Sequence, residues 1–226
     1  MITVVNAKRH ALALVILLIV STAALAQIEA EQDRTAAARK NVSGVEAYKA
    51  GRYAEAVEFY REAISITPDV VDYYFNLGMA HSKLSQYEEA VSVFEKVISL
   101  NPNFEAAHYH SGLASFKRGE FQDAAASFQK YIHVQPRSAD AYNNLGVSYF
   151  KLKAFDDAIA SLRKAIELRP EYAEAYYNLG ETYCALSSKS AALEQYNRLA
   201  GLNEQLARKL MALIFSKKVV ALKSTN

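Results

Sequence analysis

A regular repeat of proline, glycine and alanine constrains the fold of this chain more than any other feature of its sequence. All four prolines have the same spacing, and a glycine and an alanine recur with the same period. The positions are Pro68, Pro102, Pro136 and Pro170; Gly44, Gly78, Gly112, Gly146 and Gly180; and Ala56, Ala90, Ala124, Ala158 and Ala192. Self-similarity at a fixed period in the range of about 20–50 residues predicts an array of equivalent supersecondary units.

Each unit has the pattern of two helices joined by a turn. Apolar residues recur at steps of three and four, as in Leu145, Tyr149 and Leu152, which is typical of an amphipathic helix. Gly51 and Gly119 stand where we expect the first helix to end in a left-handed residue. Each proline should end the second helix because it lacks an amide hydrogen and disfavours helix at the preceding residue. Large residues after the turn are expected to fill the space between helices, namely Tyr53, Tyr87, Phe121 and Phe155.

The order aromatic, Leu-Gly, Tyr, Ala, aromatic, Ala and Pro resembles the tetratricopeptide repeat over about residues 37–204. The fourth unit reads Tyr142, Leu145-Gly146, Tyr149, Phe155, Ala158, Leu162, Ala165 and Pro170, and the second reads Tyr74, Leu77-Gly78, Tyr87, Ala90, Phe94 and Pro102. The resemblance implies an all-α, right-handed solenoid of five helix-turn-helix repeats. We place these repeats at residues 37–70, 71–104, 105–138, 139–172 and 173–204. In the fifth, Lys189 replaces the aromatic residue and Glu204 replaces the proline, which indicates the end of the array.

The N-terminus has the three-part layout of a secretory signal peptide: basic residues, an apolar run and a triplet of small residues. These parts are Lys8-Arg9-His10, residues 11–20 and Ala24-Leu25-Ala26. We expect cleavage of residues 1–26 after Ala26, which leaves residues 27–36 as a short lead-in; an uncleaved membrane anchor is the alternative. The pattern predicts an exported protein, in a bacterial periplasm by preference or secreted from another cell type.

Composition argues against nucleic-acid binding and against catalysis. Loss of residues 1–26 removes Lys8 and Arg9 and no acid, so the formal charge falls from +2 to 0 and no basic footprint remains. The single cysteine, Cys184, cannot form an intramolecular disulfide and is expected to be inert. His108 and His110 are two residues apart and therefore point to different sides of a helix. With no phosphate loop, metal motif or nucleophile elbow in the sequence, we expect no enzyme, cofactor or metal.

An apolar stripe flanked by basic residues follows the array. Its apolar members are Leu202, Leu206, Leu210, Leu213, Ile214, Phe215, Val219, Val220 and Leu222, and its basic members are Arg208, Lys209, Lys217 and Lys218. We expect residues 205–226 to form a capping helix and tail that shield the fifth repeat. A basic amphipathic helix lying on a membrane surface is the alternative.

The resemblance also implies a peptide-binding groove whose wall is built from the first helix of each repeat. Its expected residues are Phe75, Asn76, Met79, Lys83, Tyr109, His110, Leu113, Lys117, Asn143, Asn144, Val147, Lys151, Tyr177 and Asn178. Apolar anchors interleaved with amides and lysines suit an extended or helical peptide. The alternative is that the asparagines and lysines serve only helix stability and solubility. The residues with which some family members grip a terminal carboxylate are absent here.

From these features we expect an exported adaptor or scaffold that binds a segment of a partner protein in its concave groove. Cell-envelope assembly or secretion is the process that the signal pattern suggests. The second hypothesis is a structural scaffold that self-associates through Phe215, Val219 and Val220.

Overall fold

The computed structural model describes the backbone of residues 2–216 and the side chains of residues 21–216. This part of the chain forms α-helices joined by short turns and contains no strand. The helices are α1 (Ile2–Lys49), α2 (Tyr53–Ile66), α3 (Val71–Lys83), α4 (Tyr87–Leu100), α5 (Glu105–Arg118), α6 (Phe121–Val134), α7 (Ala139–Lys151), α8 (Phe155–Leu168), α9 (Ala173–Ala185), α10 (Lys189–Ala200) and α11 (Glu204–Ile214). The predicted all-α fold of helix-turn-helix repeats is confirmed.

The chain divides into two compact units, residues 1–80 and residues 81–226. In the first unit, α1 packs against α2. In the second unit, the pairs α5/α6, α7/α8 and α9/α10 each form a hairpin. Among the first helices of these hairpins, α5 contacts α7 and α7 contacts α9. Since two short turns separate one first helix from the next, these three helices point in the same direction.

Helix α1 runs without a break through the predicted cleavage point after Ala26 and through residues 27–36. Residues 21–36 are exposed, and burial begins at Ala37, where the sequence places the start of the first repeat. Ala37 packs with Ala63 and Tyr73 in the first unit. Among residues 21–216, no helix is long and apolar enough to cross a membrane. The signal peptide stays a prediction.

Close approach of the paired helices depends on the recurring glycines. A Cβ atom added at Gly112 would lie 2.8 Å from Phe128, and one at Gly146 would lie 2.6 Å from Cγ of Leu162. Both partners are fully buried, and both occupy the same position of their repeat. The recurring alanines of the second helices are also fully buried. Any side chain at the glycine would force the helices apart, because protein interiors are close-packed.

The large residues that begin the second helices have a different role from the one predicted. Tyr53, Phe121 and Phe155 are only half-buried. Each packs near an aromatic residue at the end of the preceding helix; the ring-centroid distance is 5.2 Å for Phe116 and Phe121. These pairs close the outer end of the hairpin, because the first turn of a second helix lies beside the connecting turn. The space opposite the glycine is filled from the middle of the second helix instead.

The fifth repeat closes differently, because α11 supplies the side chain that packs opposite its glycine. A Cβ at Gly180 would lie 2.5 Å from Leu210. Tyr196, which corresponds to Phe128 and Leu162 of the earlier repeats, is only half-buried. Leu210 joins a core with Leu199 of α10.

The capping helix is therefore confirmed for α11, whose apolar face is occupied by the fifth repeat. Leu210 and Ile214 are buried there. The remainder of the predicted tail lies outside the described residues, and its members are Lys217, Lys218, Val219, Val220 and Leu222.

A residue in the left-handed backbone conformation ends the first helix of each repeat. Gly51 has φ of 77° and Gly119 has φ of 88°, as predicted. The corresponding residues of the other repeats are not glycine, yet Ser85, Lys153 and Ser187 have φ of 59°, 61° and 56°. A side chain in this conformation is strained because Cβ crowds the backbone carbonyl oxygen.

Substitutions at these turns should have opposite effects on stability. We expect Lys153→Gly to raise the free energy of unfolding by about 0.5 to 1 kcal/mol and Gly119→Ala to lower it by about 1 kcal/mol, through backbone strain. Space at Gly119 is open within 4 Å, so the alanine meets no steric clash. Urea denaturation of the two variants measures both changes. Changes of the same sign would contradict this account.

Removal of the Leu210 side chain should destabilise the protein, since it leaves a cavity opposite Gly180. We expect Leu210→Ala to lower the free energy of unfolding by about 2 to 5 kcal/mol. Leu202→Ala is the matched control, because that side chain is 40% exposed and its loss should cost much less. Thermal denaturation followed by circular dichroism compares the two. Equal losses would show that α11 is not part of the packed core.

Candidate functional site

The predicted wall residues of the second unit lie on one side of three neighbouring first helices. We call this surface the α5–α7–α9 face. Its predicted members are Tyr109, His110, Leu113, Lys117, Asn143, Asn144, Val147, Lys151, Tyr177 and Asn178. Asn143 is buried, Lys117 and Lys151 are exposed, and the others are half-buried. Lys83, also exposed, occupies the corresponding place at the end of α3. The remaining predicted wall residues, Phe75, Asn76 and Met79, are half-buried in the first unit.

Asparagine side chains link several first helices to the next. Nδ2 of Asn144 donates to Oη of Tyr109 at 3.1 Å, and Nδ2 of Asn178 donates to Oδ1 of Asn143 at 2.8 Å. In the first unit, Nδ2 of Asn76 makes the same kind of bond to Asn41 at 3.0 Å. These amides hold neighbouring repeats in register, which agrees with the alternative that the asparagines have a structural role.

Aromatic rings support the same face from beneath. The ring of Tyr109 lies with its centroid 5.8 Å from that of Phe128 and 5.1 Å from that of Tyr131. His110 stacks on Phe94 with centroids 5.9 Å apart, and burial lowers the pKa of its imidazole. Burial likewise raises the pKa of the Tyr109 phenol. Both residues therefore belong partly to the packing of the repeats, and their loss would disturb more than a binding surface.

Lysines occupy equivalent positions at the ends of three first helices. Lys83, Lys117 and Lys151 each stand in the last turn of a first helix. Cations there interact favourably with the helix dipole, which explains their place. Nζ of Lys151 lies 5.8 Å from the ring centroid of its neighbour Phe150. Within residues 21–216, none of the three lysines forms an ion pair within 4.0 Å.

Glu181 is a member of the face that sequence reasoning missed. It lies one repeat period after Val147 and two periods after Leu113, so it occupies the same position of α9. Its side chain is half-buried, and burial raises the pKa of its carboxyl while the charge of Lys151 opposes the rise. Extension of the wall positions to the fifth repeat would have identified this residue.

The other acidic side chains of these helices stand in their first turns, at the opposite ends from the lysines. Asp140 is held by both Nη atoms of Arg169, at 3.0 and 2.7 Å, and by Oη of Tyr172 at 2.7 Å. The hydrogen bonds from Arg169 lower the pKa of this carboxyl, although burial opposes them. Glu105 accepts from Nε2 of Gln135 at 2.5 Å. These contacts hold Asp140 as an ion-paired carboxylate and tie the residues that follow α8 and α6 to the first turns of α7 and α5.

Cys184 and two histidines of the second unit take part in the packing of the repeats. Cys184 is buried, and burial raises the pKa of its thiol to about 11, with a further contribution from Glu181. A thiol with so high a pKa is a poor nucleophile at neutral pH. His108 faces the carbonyl oxygen of Pro102 at 3.3 Å, whereas His110 lies against an aromatic ring. No group of three potential ligands for a metal ion occurs among residues 21–216.

A concavity of about 400 Å³ lies between α8, α9 and α10. Its walls include Arg163, Arg198 and Glu194, and Nη2 of Arg163 donates to Oη of Tyr183 at 2.7 Å. None of the residues that line it belongs to the α5–α7–α9 face. Because its walls carry both basic and acidic side chains, this concavity favours no particular class of ligand.

Comparison with known proteins supports the repeat assignment. A family model described as TPR repeat matches residues 44–85, 112–153 and 148–187, and a second, described as Tetratricopeptide repeat, matches residues 71–104. Together these matches extend over more than half of the chain. No curated protein sequence matches at a significant level.

Solved structures share the fold. Residues 41 to the end of MamA from Desulfovibrio magneticus RS-1 superpose with a TM-score of 0.73 at 24% identity, over 75% of this chain and 96% of that one. A second MamA structure gives 0.69 at 25% identity, over 73% and 96%. YrrB, described as a TPR protein with an unusual peptide-binding site, gives 0.69 at 20% identity, over 76% and 90%. By its family matches, this chain belongs to the tetratricopeptide-repeat family.

Proposed function

We propose that this protein is an exported scaffold that binds a segment of a partner protein on the α5–α7–α9 face. The observation that carries the proposal is the arrangement of this face. Half-buried Leu113 and Val147 lie on adjacent helices, and exposed lysines that form no ion pair within the described residues stand beyond them. Contact area from apolar side chains and polar groups at a rim are the two components of a protein interface.

The rigidity of the face supports binding of a segment rather than of a second folded domain. Hydrogen bonds between Asn144 and Tyr109 and between Asn178 and Asn143 fix the spacing of the three helices. A preorganised surface loses little conformational entropy when a ligand binds. An extended or helical peptide can place alternate side chains on such a surface. The description of YrrB as a TPR protein with a peptide-binding site agrees with this function.

Export is the second part of the proposal and rests on the signal-like pattern of residues 1–26. Binding of an envelope or secreted partner, during assembly or secretion, is the role that this location implies. An inert, buried Cys184 is compatible with an oxidising compartment, because no exposed thiol is offered for unwanted pairing.

Self-association is a second candidate, favoured by one observation. Phe215, at the end of α11, is 60% exposed, and Nζ of Lys189 lies 3.9 Å from the centroid of its ring. Val219 and Val220, the other residues of this hypothesis, lie outside the described residues.

A bulky charge in the middle of the face should abolish partner capture. We expect Val147→Arg to lose a protein that the unmodified chain retains from an envelope extract, because the arginine fills the surface between Leu113 and Glu181. The matched control is Ala160→Arg, on the exposed side of α8. Affinity capture with mass spectrometry is the measurement, and circular dichroism checks that both variants fold. Equal capture by both variants would refute the proposed face, and recovery of further copies of this chain alone would favour self-association.

Export predicts a processed protein in the native cell. We expect the mature chain to begin at Gln27, so that its intact mass is lower by the mass of residues 1–26. Mass spectrometry of the native protein, with fractionation of the cell, is the measurement. A chain that retains residues 1–26 in the membrane fraction would support the anchor alternative, and one that retains them in the cytoplasm would refute export.

A further inference from the structure

We propose that the segment bound by the α5–α7–α9 face is acidic, and that its carboxylates pair with Lys83, Lys117 and Lys151. The inference rests on the proposed function and adds the chemistry of the partner to it. It further assigns Glu181 as the residue that limits acidic binding at the α9 end of the face.

The row of lysines is a consequence of the repeat geometry. Lys83, Lys117 and Lys151 are each separated by one repeat period. Because Lys117 and Lys151 end α5 and α7, which point the same way, their ammonium groups lie along one edge, and Lys83 occupies the equivalent position at the end of α3. All three residues are exposed. A ligand that runs across the helices along this edge meets one cation at each repeat.

The positive charge of this edge is not compensated by the acids of the same helices. Asp140 and Glu105 lie in the first turns of α7 and α5, a full helix length from the lysines, and have partners of their own. Asp140 is bound by Arg169 and Tyr172. A carboxylate supplied by a partner is therefore the counter-charge that the edge lacks.

Glu181 changes the character of the face at its α9 end. It is the one acid among the described residues of this face, it stands at the position of Leu113 and Val147, and the charge of Lys151 acts on its half-buried carboxyl. The fifth repeat has Ala185 where the earlier repeats have a lysine. A bound acidic segment should therefore lie over Lys83, α5 and α7 and present a neutral or basic residue to α9. This polarity gives the ligand a preferred direction.

The apolar members of the face favour an acidic peptide over other polyanions. Leu113 and Val147 lie one helical turn before Lys117 and Lys151, and the part of each side chain that remains exposed can contact apolar side chains of a ligand. An extended peptide can supply them, because successive side chains alternate from one face of the strand to the other. Without residues 1–26 the formal charge is 0, so the chain lacks the overall field that attracts nucleic acid.

Three fluorescein-labelled peptides test the charge preference. Each combines two leucines with a run of glutamates, glutamines or lysines, and all three have the same length and leucine positions. Fluorescence anisotropy with the purified full chain measures their dissociation constants. We expect the glutamate peptide to bind about tenfold or more tightly than the glutamine peptide at low salt, with a smaller difference at high salt, since salt screens exposed charges.

Charge variants test the assigned residues. We expect Lys117→Glu to weaken binding of the glutamate peptide about threefold to tenfold, which is the range for loss and reversal of exposed ion pairs. Lys130→Glu is the matched control, since Lys130 is exposed on α6 and lies outside the face. Glu181→Gln should tighten binding about twofold to threefold because it releases Lys151 from its neighbouring acid.

Equal weakening by Lys117→Glu and Lys130→Glu would overturn the proposal, because the attraction would then be diffuse. Equal affinity for the glutamate and glutamine peptides would overturn the acidic preference. If the Val147→Arg variant then binds neither peptide, peptide binding on the face is upheld. Binding of heparin with the same dependence on Lys117 and an affinity equal to that of the glutamate peptide would assign a general polyanion surface instead. Failure of all three peptides to bind would overturn the inference, and the capture experiment would then judge the proposed function independently.

Discussion

The helices of each repeat approach closely because a glycine on the first helix leaves room for a large side chain from its partner. Gly44, Gly112 and Gly146 contact Tyr60, Phe128 and Leu162 in this way. The contact tolerates no side chain in place of the glycine, since even a methyl group would overlap the partner side chain. It fixes the separation and rotation of the two helices, and the positions of all exposed side chains depend on it.

Once the geometry of the pair is fixed, repetition in sequence becomes alignment in space. Residues separated by one repeat period lie on neighbouring first helices at the same height. Each bonded asparagine reaches the residue that precedes its equivalent on the neighbouring helix, as Asn178 does with Asn143, and the lysines form an edge of positive charge. Equivalent positions can thus serve packing in one case and remain exposed in the other. Asn178 is engaged by Asn143, whereas Lys117 has no ion-pair partner in the described part of the chain.

The fifth repeat shows what happens where the pattern stops. No sixth repeat follows within the described residues, and Leu210 of α11 packs opposite Gly180 in place of a residue of α10. Tyr196, the residue that the period would assign to this contact, is only half-buried. On the α5–α7–α9 face, the same repeat replaces the apolar residue by Glu181. The end of the array therefore differs from the earlier repeats both in its core and in its charge.

The amino-acid sequence by itself determined the repeat period, the helix pairs and the left-handed glycines at 51 and 119, because each follows from spacing and local backbone chemistry, whereas the wall residues were implied only by the family resemblance. Tertiary structure alone decided which large side chain packs opposite each glycine. It also decided that Ser85, Lys153 and Ser187 adopt left-handed conformations despite their local cost. The burial of Asn143, the ion pair of Asp140 and the influence of Lys151 on the carboxyl of Glu181 depend likewise on residues from neighbouring helices. Contacts between helices override local preference, and no pattern within a single helix records them.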